Sequence, residues 1–140
     1  MSETLKNRRS RSAVVGILRR DTNVLVIKRS ATVRAPGKIC FPGGGIESGE
    51  TAPMALVREL REELNLDVVP IHEVWQSRTP SGIDLHWWLA EYDPRQPFVC
   101  NPAEVEWACW MTCAEMKASP ELLESNQAFL EALAEGEFFI

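Results

Sequence analysis

Apolar residues change their spacing several times along this chain, and each change marks an element. Residues 12–18 and 24–28 are apolar at nearly every position. The stretch Arg19-Arg20-Asp21-Thr22-Asn23 between them holds turn formers, so the pair reads as a hairpin buried on both faces. Residues 30–37 read as a loop, followed by a short strand over 39–41 that Pro42 and the tight turn Gly43-Gly44-Gly45 end. Residues 51–64 then take a helical period, with capping residue types in Ser48-Gly49-Glu50-Thr51 and Pro53 in the first turn. Strands are expected over 68–75 and 83–92. In the second, Ile83, Leu85, Trp87 and Leu89 alternate with Asp84, His86, Trp88 and Ala90, and the first set is expected to face the core. A shorter strand over 104–111 and an amphipathic helix over 120–134, with Leu122, Leu123, Phe129, Leu130 and Leu133, complete the pattern. Strands outnumber helices, which implies a mixed sheet sandwiched between helices.

A chain of 140 residues, 45% hydrophobic, buries one sizeable core, so a single domain over 1–140 is expected. Residues 1–11, with Lys6, Arg8, Arg9 and Arg11, are expected as a flexible arm. No apolar run follows that basic cluster, which argues against a secretory signal, and nothing approaches a membrane-spanning length. Cys40, Cys100, Cys109 and Cys113 lack close CxxC spacing and suit reduced thiols in a cytoplasmic protein; Cys109 and Cys113 alone make a poor metal site. The net charge of −5 argues against broad nucleic-acid binding, and an acidic protein that handles phosphates needs a cation as intermediary.

The chemistry concentrates on the helix over 51–64. At about 100° per residue, Leu56, Val57, Leu60 and Leu64 form the buried stripe, while Glu59, Glu62 and Glu63 share a separate sector beside the small Ala55. Such crowding costs a few tenths of a kcal/mol per like-charge pair. Arg58 stands at the margin, able to pair with Glu62 or reach back to Glu50. In most sequences a Glu-rich helix interleaved with arginine is a solvated face. Here the preceding glycines, which let backbone approach an ion or phosphate, and the fixed interval to Glu50 favour a hard cation with oxygen ligands.

Gly44, Glu50, Arg58, Glu59, Leu60, Glu62, Glu63, Asn65 and Leu66 resemble the Nudix box of the MutT-related pyrophosphohydrolases. Its pattern is Gly, five residues, Glu, seven residues, Arg-Glu-apolar-x-Glu-Glu-x-Gly-apolar. Asn65 replaces the last glycine and is the residue that best tolerates the left-handed backbone expected there. The lead-in Phe41-Pro42-Gly43-Gly44, the preceding hairpin and the stretch 104–110 also resemble the family. The resemblance implies an α/β fold, a Nudix-type α/β/α sandwich with a central mixed β-sheet, and metal-dependent hydrolysis of a nucleoside-diphosphate-linked substrate with Mg²⁺ or Mn²⁺. Carried over, Glu59, Glu62 and Glu63 are metal ligands, one of them a candidate base, and the Gly43 carbonyl completes the shell. Glu50 and Arg58 pair to hold the loop on the helix. Glu104 is the candidate for a further catalytic carboxylate, with Glu106 in reserve. The cation neutralises phosphate oxygens and acidifies water, and the remaining problem is alignment for in-line displacement.

Substrate choice lies outside the box. Trp88, sharing a strand face with Asp84 and His86, suits stacking on a base, or else packs under the C-terminal helix. Arg29 and Arg34 hold phosphates, or are exposed loop arginines without a role. The run 25–44 loosely resembles the coenzyme A pyrophosphatases, and a nucleotide-sugar substrate is a further alternative. Gly45 stands where enzymes cleaving oxidised deoxynucleotides often carry lysine. A nucleotide-binding sensor of the same fold typically loses box carboxylates, and an isomerase needs segments absent here. A small-molecule nucleotide is the expected partner, with neither nucleic acid nor membrane; homodimers are common in the family.

Overall fold

The computed structural model describes residues 11–140; of the arm expected over residues 1–11, all but Arg11 lies outside the described residues. β1 (Ser12–Arg20) and β2 (Asn23–Arg29) form the expected hairpin. Asp21 turns it with a φ of 56°, a conformation its short polar side chain tolerates. There follow β3 (Ile39–Cys40), β4 (Gly43–Gly45), α1 (Ala52–Leu64), β5 (Val69–Arg78), β6 (Asp84–Glu91), β7 (Val105–Thr112), α2 (Cys113–Lys117) and α3 (Glu124–Ala134).

The sheet runs β3-β2-β1-β6-β5, with β7 on the outer edge of β2 and β4 on β1. β1 and β6 are parallel, from Ser12 beside Asp84 to Leu18 beside Ala90, and the other pairs are antiparallel, so the sheet is mixed as expected. The second edge of β1 is divided. Val14 and Val15 pair with Gly44 and Gly43, whereas Arg19 and Arg20 pair with the start of β2. Residues 39–45 fill the fork, with β3 on β2, β4 on β1, and the Gly16 N–H donating to the Pro42 carbonyl at 2.8 Å. The expected tight turn at Gly43-Gly44-Gly45 is therefore a strand. An open edge on β1 recruits backbone that carries no side-chain pattern.

Both faces of the sheet are covered, which explains the unbroken apolar runs of β1 and β2. One core sets Val14, Leu18, Leu25 and Ile27 against Leu56, Leu60 and Leu64 of α1, and the other sets Ile17, Val24, Val26 and Trp87 against Met116, Phe129 and Leu130. Burial of each of those leucines contributes about 1.5–3 kcal/mol. Ile83, Leu85, Trp87 and Leu89 of the β6 region face the second core as expected, and the other face is covered too: Ala90 is buried and Trp88 packs on the α1 side. The helix expected over 120–134 begins only at Glu124. Before it the chain turns at Pro120 and Glu121 and then bridges to β3, where Ile39 donates to the Glu121 carbonyl and accepts from the Leu123 N–H, each at 2.9 Å. The strand expected over 68–75 continues to Arg78. The short α2 was not anticipated; a capping box between Thr112 and Glu115 starts it.

Phe129 stacks on Trp87 at 4.5 Å between centroids with an interplanar angle of 16°, at the centre of the second core. Phe129→Ala is expected to destabilise the fold by about 3–5 kcal/mol in urea titration. A loss under about 1 kcal/mol would contradict this packing.

Candidate functional site

α1 is fixed at both ends by its sequence. The Thr51 hydroxyl accepts from the Met54 N–H at 3.3 Å, and Asn65 closes the other end with φ 50° and ψ 39°, as expected for the residue standing in for glycine. This orientation turns Ala55, Leu56, Leu60 and Leu64 into the core, and Glu63 with them, at 5% exposure. Val57, expected in the buried stripe, is only half-buried.

Arg58 makes both pairings foreseen for it. Nε and Nη2 grip the two Glu50 oxygens at 2.7 and 2.8 Å, Nη2 also reaches the Gly45 carbonyl at 2.9 Å, and Nη1 donates to Glu59 at 2.9 Å and Glu62 at 3.3 Å. The glycine strand, the following loop and the helix are thus tied by one guanidinium. The Arg58 hydrogen bonds, with a further one from the Glu47 N–H, hold the Glu50 carboxyl down to about 2.

Glu63 accepts from the Gly43 N–H at 2.9 Å, its buried carboxylate lying against β4. Burial pushes its pKa well above the usual carboxylate range, and the neighbouring charges of Glu59 and Glu104 push further. Burial likewise raises Glu59, against the opposing pull of Arg58. A Cβ on Gly44 would overlap the Glu59 carboxylate, so glycine is needed for that side chain to lie where it does. Glu104 completes the group, and its Oε2 is buried without a hydrogen-bond partner.

Among the described residues no three carboxylate, imidazole or thiol groups stand ready in a closed ligand shell. Glu59 and Glu62 are turned toward Arg58, and Glu63 toward Gly43. The chemistry of the set still fits a hard divalent cation: acceptor-only oxygens, mutual repulsion, desolvation and one orphaned acceptor.

The other candidates separate. Arg29 closes β2 and is half-buried instead of lying in an exposed loop; its Nε donates to the Arg34 carbonyl at 2.6 Å, and its charge acts on both Glu63 and Cys40. Arg34 is exposed and contributes backbone to that contact. Burial pushes the Cys40 thiol up to about 11, an inert hydrophobic role. β6 flanks the edge of β1 opposite β4, so His86 and Trp88 stand across β1 from the glycines. His86 Nδ1 lies 2.7 Å from Glu73 Oε1, and Trp88 packs on the α1-side core, away from the C-terminal helix. Glu106 forms an ion pair with Lys28 at 3.4 Å. Asn101, which contacts the backbone of both Glu62 and Glu63, escaped the sequence reading; its one signal is the turn-initiating Asn101-Pro102 pair. Among the described residues no helix is long and apolar enough to cross a membrane.

Residues 8–133 match the family model described as NUDIX domain. The 8-oxo-dGTP diphosphatase of Escherichia coli K12 is 36% identical over 99 residues, 66% of this chain and 75% of that protein. The CTP pyrophosphohydrolase of the same organism is 40% identical over 102 residues, 65% of this chain and 76% of that protein. The crystal structure of a MutT protein from Methanosarcina mazei Go1 aligns with a TM-score of 0.75 and 18% identity, over 90% of this chain and 94% of that one, a likeness of fold: the α/β/α sandwich.

A buried carboxylate with a raised pKa destabilises the fold once pH exceeds its unfolded value. Glu63→Gln keeps the acceptor for Gly43 and removes the charge. Without metal it should therefore melt about a few degrees higher near pH 7, the gain vanishing below the ordinary value of 4.5. Added Mg²⁺ should raise the melting temperature of the parent protein and leave the variant nearly unmoved. A metal-free variant melting below the parent at pH 7 would refute this electrostatic picture.

Proposed function

Because the chain belongs to the Nudix family of pyrophosphohydrolases, which act on nucleoside diphosphate derivatives, we propose that it uses Mg²⁺ or Mn²⁺ to hydrolyse the phosphoanhydride of a nucleoside triphosphate. The observation that carries this reading is the packing of Glu59, Glu63 and Glu104 into one desolvated group with a single arginine, Arg58, bonded to part of it. The named substrates of the two relatives, 8-oxo-dGTP and CTP, are both nucleoside triphosphates and support that class for this chain.

In this reading Glu59, Glu62, Glu63 and the Gly43 carbonyl hold the cation. When bound, it neutralises phosphate oxygens and acidifies water. Glu104, whose charge acts on both Glu59 and Glu63, adds to their attraction for the cation, and its unpaired buried oxygen receives the proton as water attacks phosphorus. Arg58 does not meet substrate; it fixes the Glu59 and Glu62 carboxylates and ties the loop carrying Glu50 to the helix. Arg29, beside Glu63 and anchored by the Arg34 carbonyl, directs its remaining donors to a phosphate as charge develops on the leaving group. Trp88 and His86, across β1, are left without a part in binding phosphate. The four unpaired cysteines suit a reducing, cytoplasmic setting.

The test is release of phosphate or pyrophosphate from nucleoside triphosphates, oxidised nucleotides, ADP-ribose, nucleotide sugars, dinucleoside polyphosphates and coenzyme A, with and without Mg²⁺. Cleavage should require the metal and be fastest for a triphosphate; silence across the panel from folded, nucleotide-binding protein would favour a sensor. Glu62→Gln and Glu63→Gln should each lower kcat by about 100-fold or more while leaving the circular-dichroism spectrum unchanged. Near-parental turnover in both would sink the assignment.

A further inference from the structure

The last carbonyls of a helix have no partner inside it, and in α1 every one is taken. The Leu60 and Arg61 oxygens accept from the Leu66 and Asn65 N–H groups at 3.3 and 3.0 Å, within the left-handed cap. The next three go to the segment after β6. Glu62 O accepts from Asn101 Nδ2 at 3.2 Å, Glu63 O from the Asn101 N–H at 2.9 Å, and Leu64 O from the Val99 N–H at 2.9 Å.

The same asparagine then turns the chain into Glu104. Its Oδ1 accepts from the Ala103 N–H at 3.1 Å, and its carbonyl accepts from the N–H groups of Glu104 and Val105 at 2.9 and 2.8 Å. From the other side the Ser30 N–H donates to the Glu104 carbonyl at 3.0 Å, while the Ser30 and Thr32 hydroxyls donate to the Ala103 carbonyl, each at 2.9 Å. The Asn101 side chain therefore spans from the helix turn bearing Glu62 and Glu63 to the turn bearing Glu104, whose Oε2 is left buried and unpaired. The Oδ1 contact shapes the turn, and the Nδ2 contact ties that turn to the helix.

We infer that Asn101 is a positioning residue: by bridging the Glu62 carbonyl and the Ala103 N–H it sets the place of Glu104 relative to Glu63, and with it the affinity of the carboxylate group for its divalent cation. This rests on the role proposed above for Glu104.

The test measures the Mn²⁺ dissociation constant by paramagnetic resonance of the free ion, with kcat and KM, in the full chain carrying Asn101→Ala, Asn101→Asp, Glu104→Gln and the Ala/Gln double change. Asn101→Ala should weaken Mn²⁺ about 10- to 100-fold and lower kcat by a similar factor with KM little moved, as loss of a residue that orients ligands does. Asn101→Asp keeps the acceptor for Ala103 but loses the donor to Glu62, and should fall between Asn101→Ala and the parent. The double variant should match Glu104→Gln alone, since both changes act through one carboxylate. Parental Mn²⁺ affinity in folded Asn101→Ala, or in Asn101→Asp should the alanine variant not fold, overturns the inference. So do effects of Asn101→Ala and Glu104→Gln that multiply. A Glu104→Gln protein unchanged in both readouts would instead remove the role given to Glu104.

Discussion

A Cβ at Gly44 would occupy the space of the Glu59 carboxylate, and one at Gly43, where φ is +153°, would meet the Val14 carbonyl oxygen. The whole site is arranged around that close approach of a helix to a strand with no side chains. β4 can lie there because the second edge of β1 is shared, leaving a fork that residues 39–45 fill. Leu56, Leu60 and Leu64 press α1 onto the sheet, and the same packing carries Glu59 and Glu63 down against the glycines. Hydrophobic burial, which is non-directional and strong, thereby holds carboxylates in a place they would avoid by themselves.

The electrostatics of the site are left unbalanced. Arg58 alone meets four carboxylates, Glu47, Glu50, Glu59 and Glu62, while Glu63 lies deeper, with the charge of Arg29 acting on it more weakly than burial and the Glu59 charge. A protein selected only for stability would replace such a group by neutral side chains. The imbalance makes chemical sense as a site prepared for a cation and for phosphate oxygens, with Arg58 keeping the ligands oriented in the meantime. The stability of the fold is drawn from the apolar cores on the two faces of the sheet.

Much of this was legible in the sequence because it depends on local rules. The helix showed through its period and its caps, and the set from Gly44 to Leu66 through fixed intervals. Asn65 was recognisable because few residues besides glycine accept its backbone conformation. What escaped depends on distant partners. Three glycines carry no pattern, so their pairing with β1 could not be read. Leu122 and Leu123 continue a helical spacing while the edge at Ile39 holds their backbone extended. The helical wheel put Glu62 and Glu63 in one sector, yet Glu62 keeps 47% of its side chain exposed while Glu63 is buried, a distinction set by the depth of β4 below the helix. Asn101 acts through a loop whose path across the end of α1 has no periodic trace.

The most direct measurement is a crystal of the protein equilibrated with Mn²⁺ and examined by anomalous diffraction at the manganese edge. The account predicts a peak about 2.0–2.4 Å from carboxylate oxygens of Glu59 and Glu63, between α1 and β4. A peak confined to other residues, or none at saturating Mn²⁺ in well-ordered crystals, would contradict the claim that this buried carboxylate group exists to hold a divalent cation.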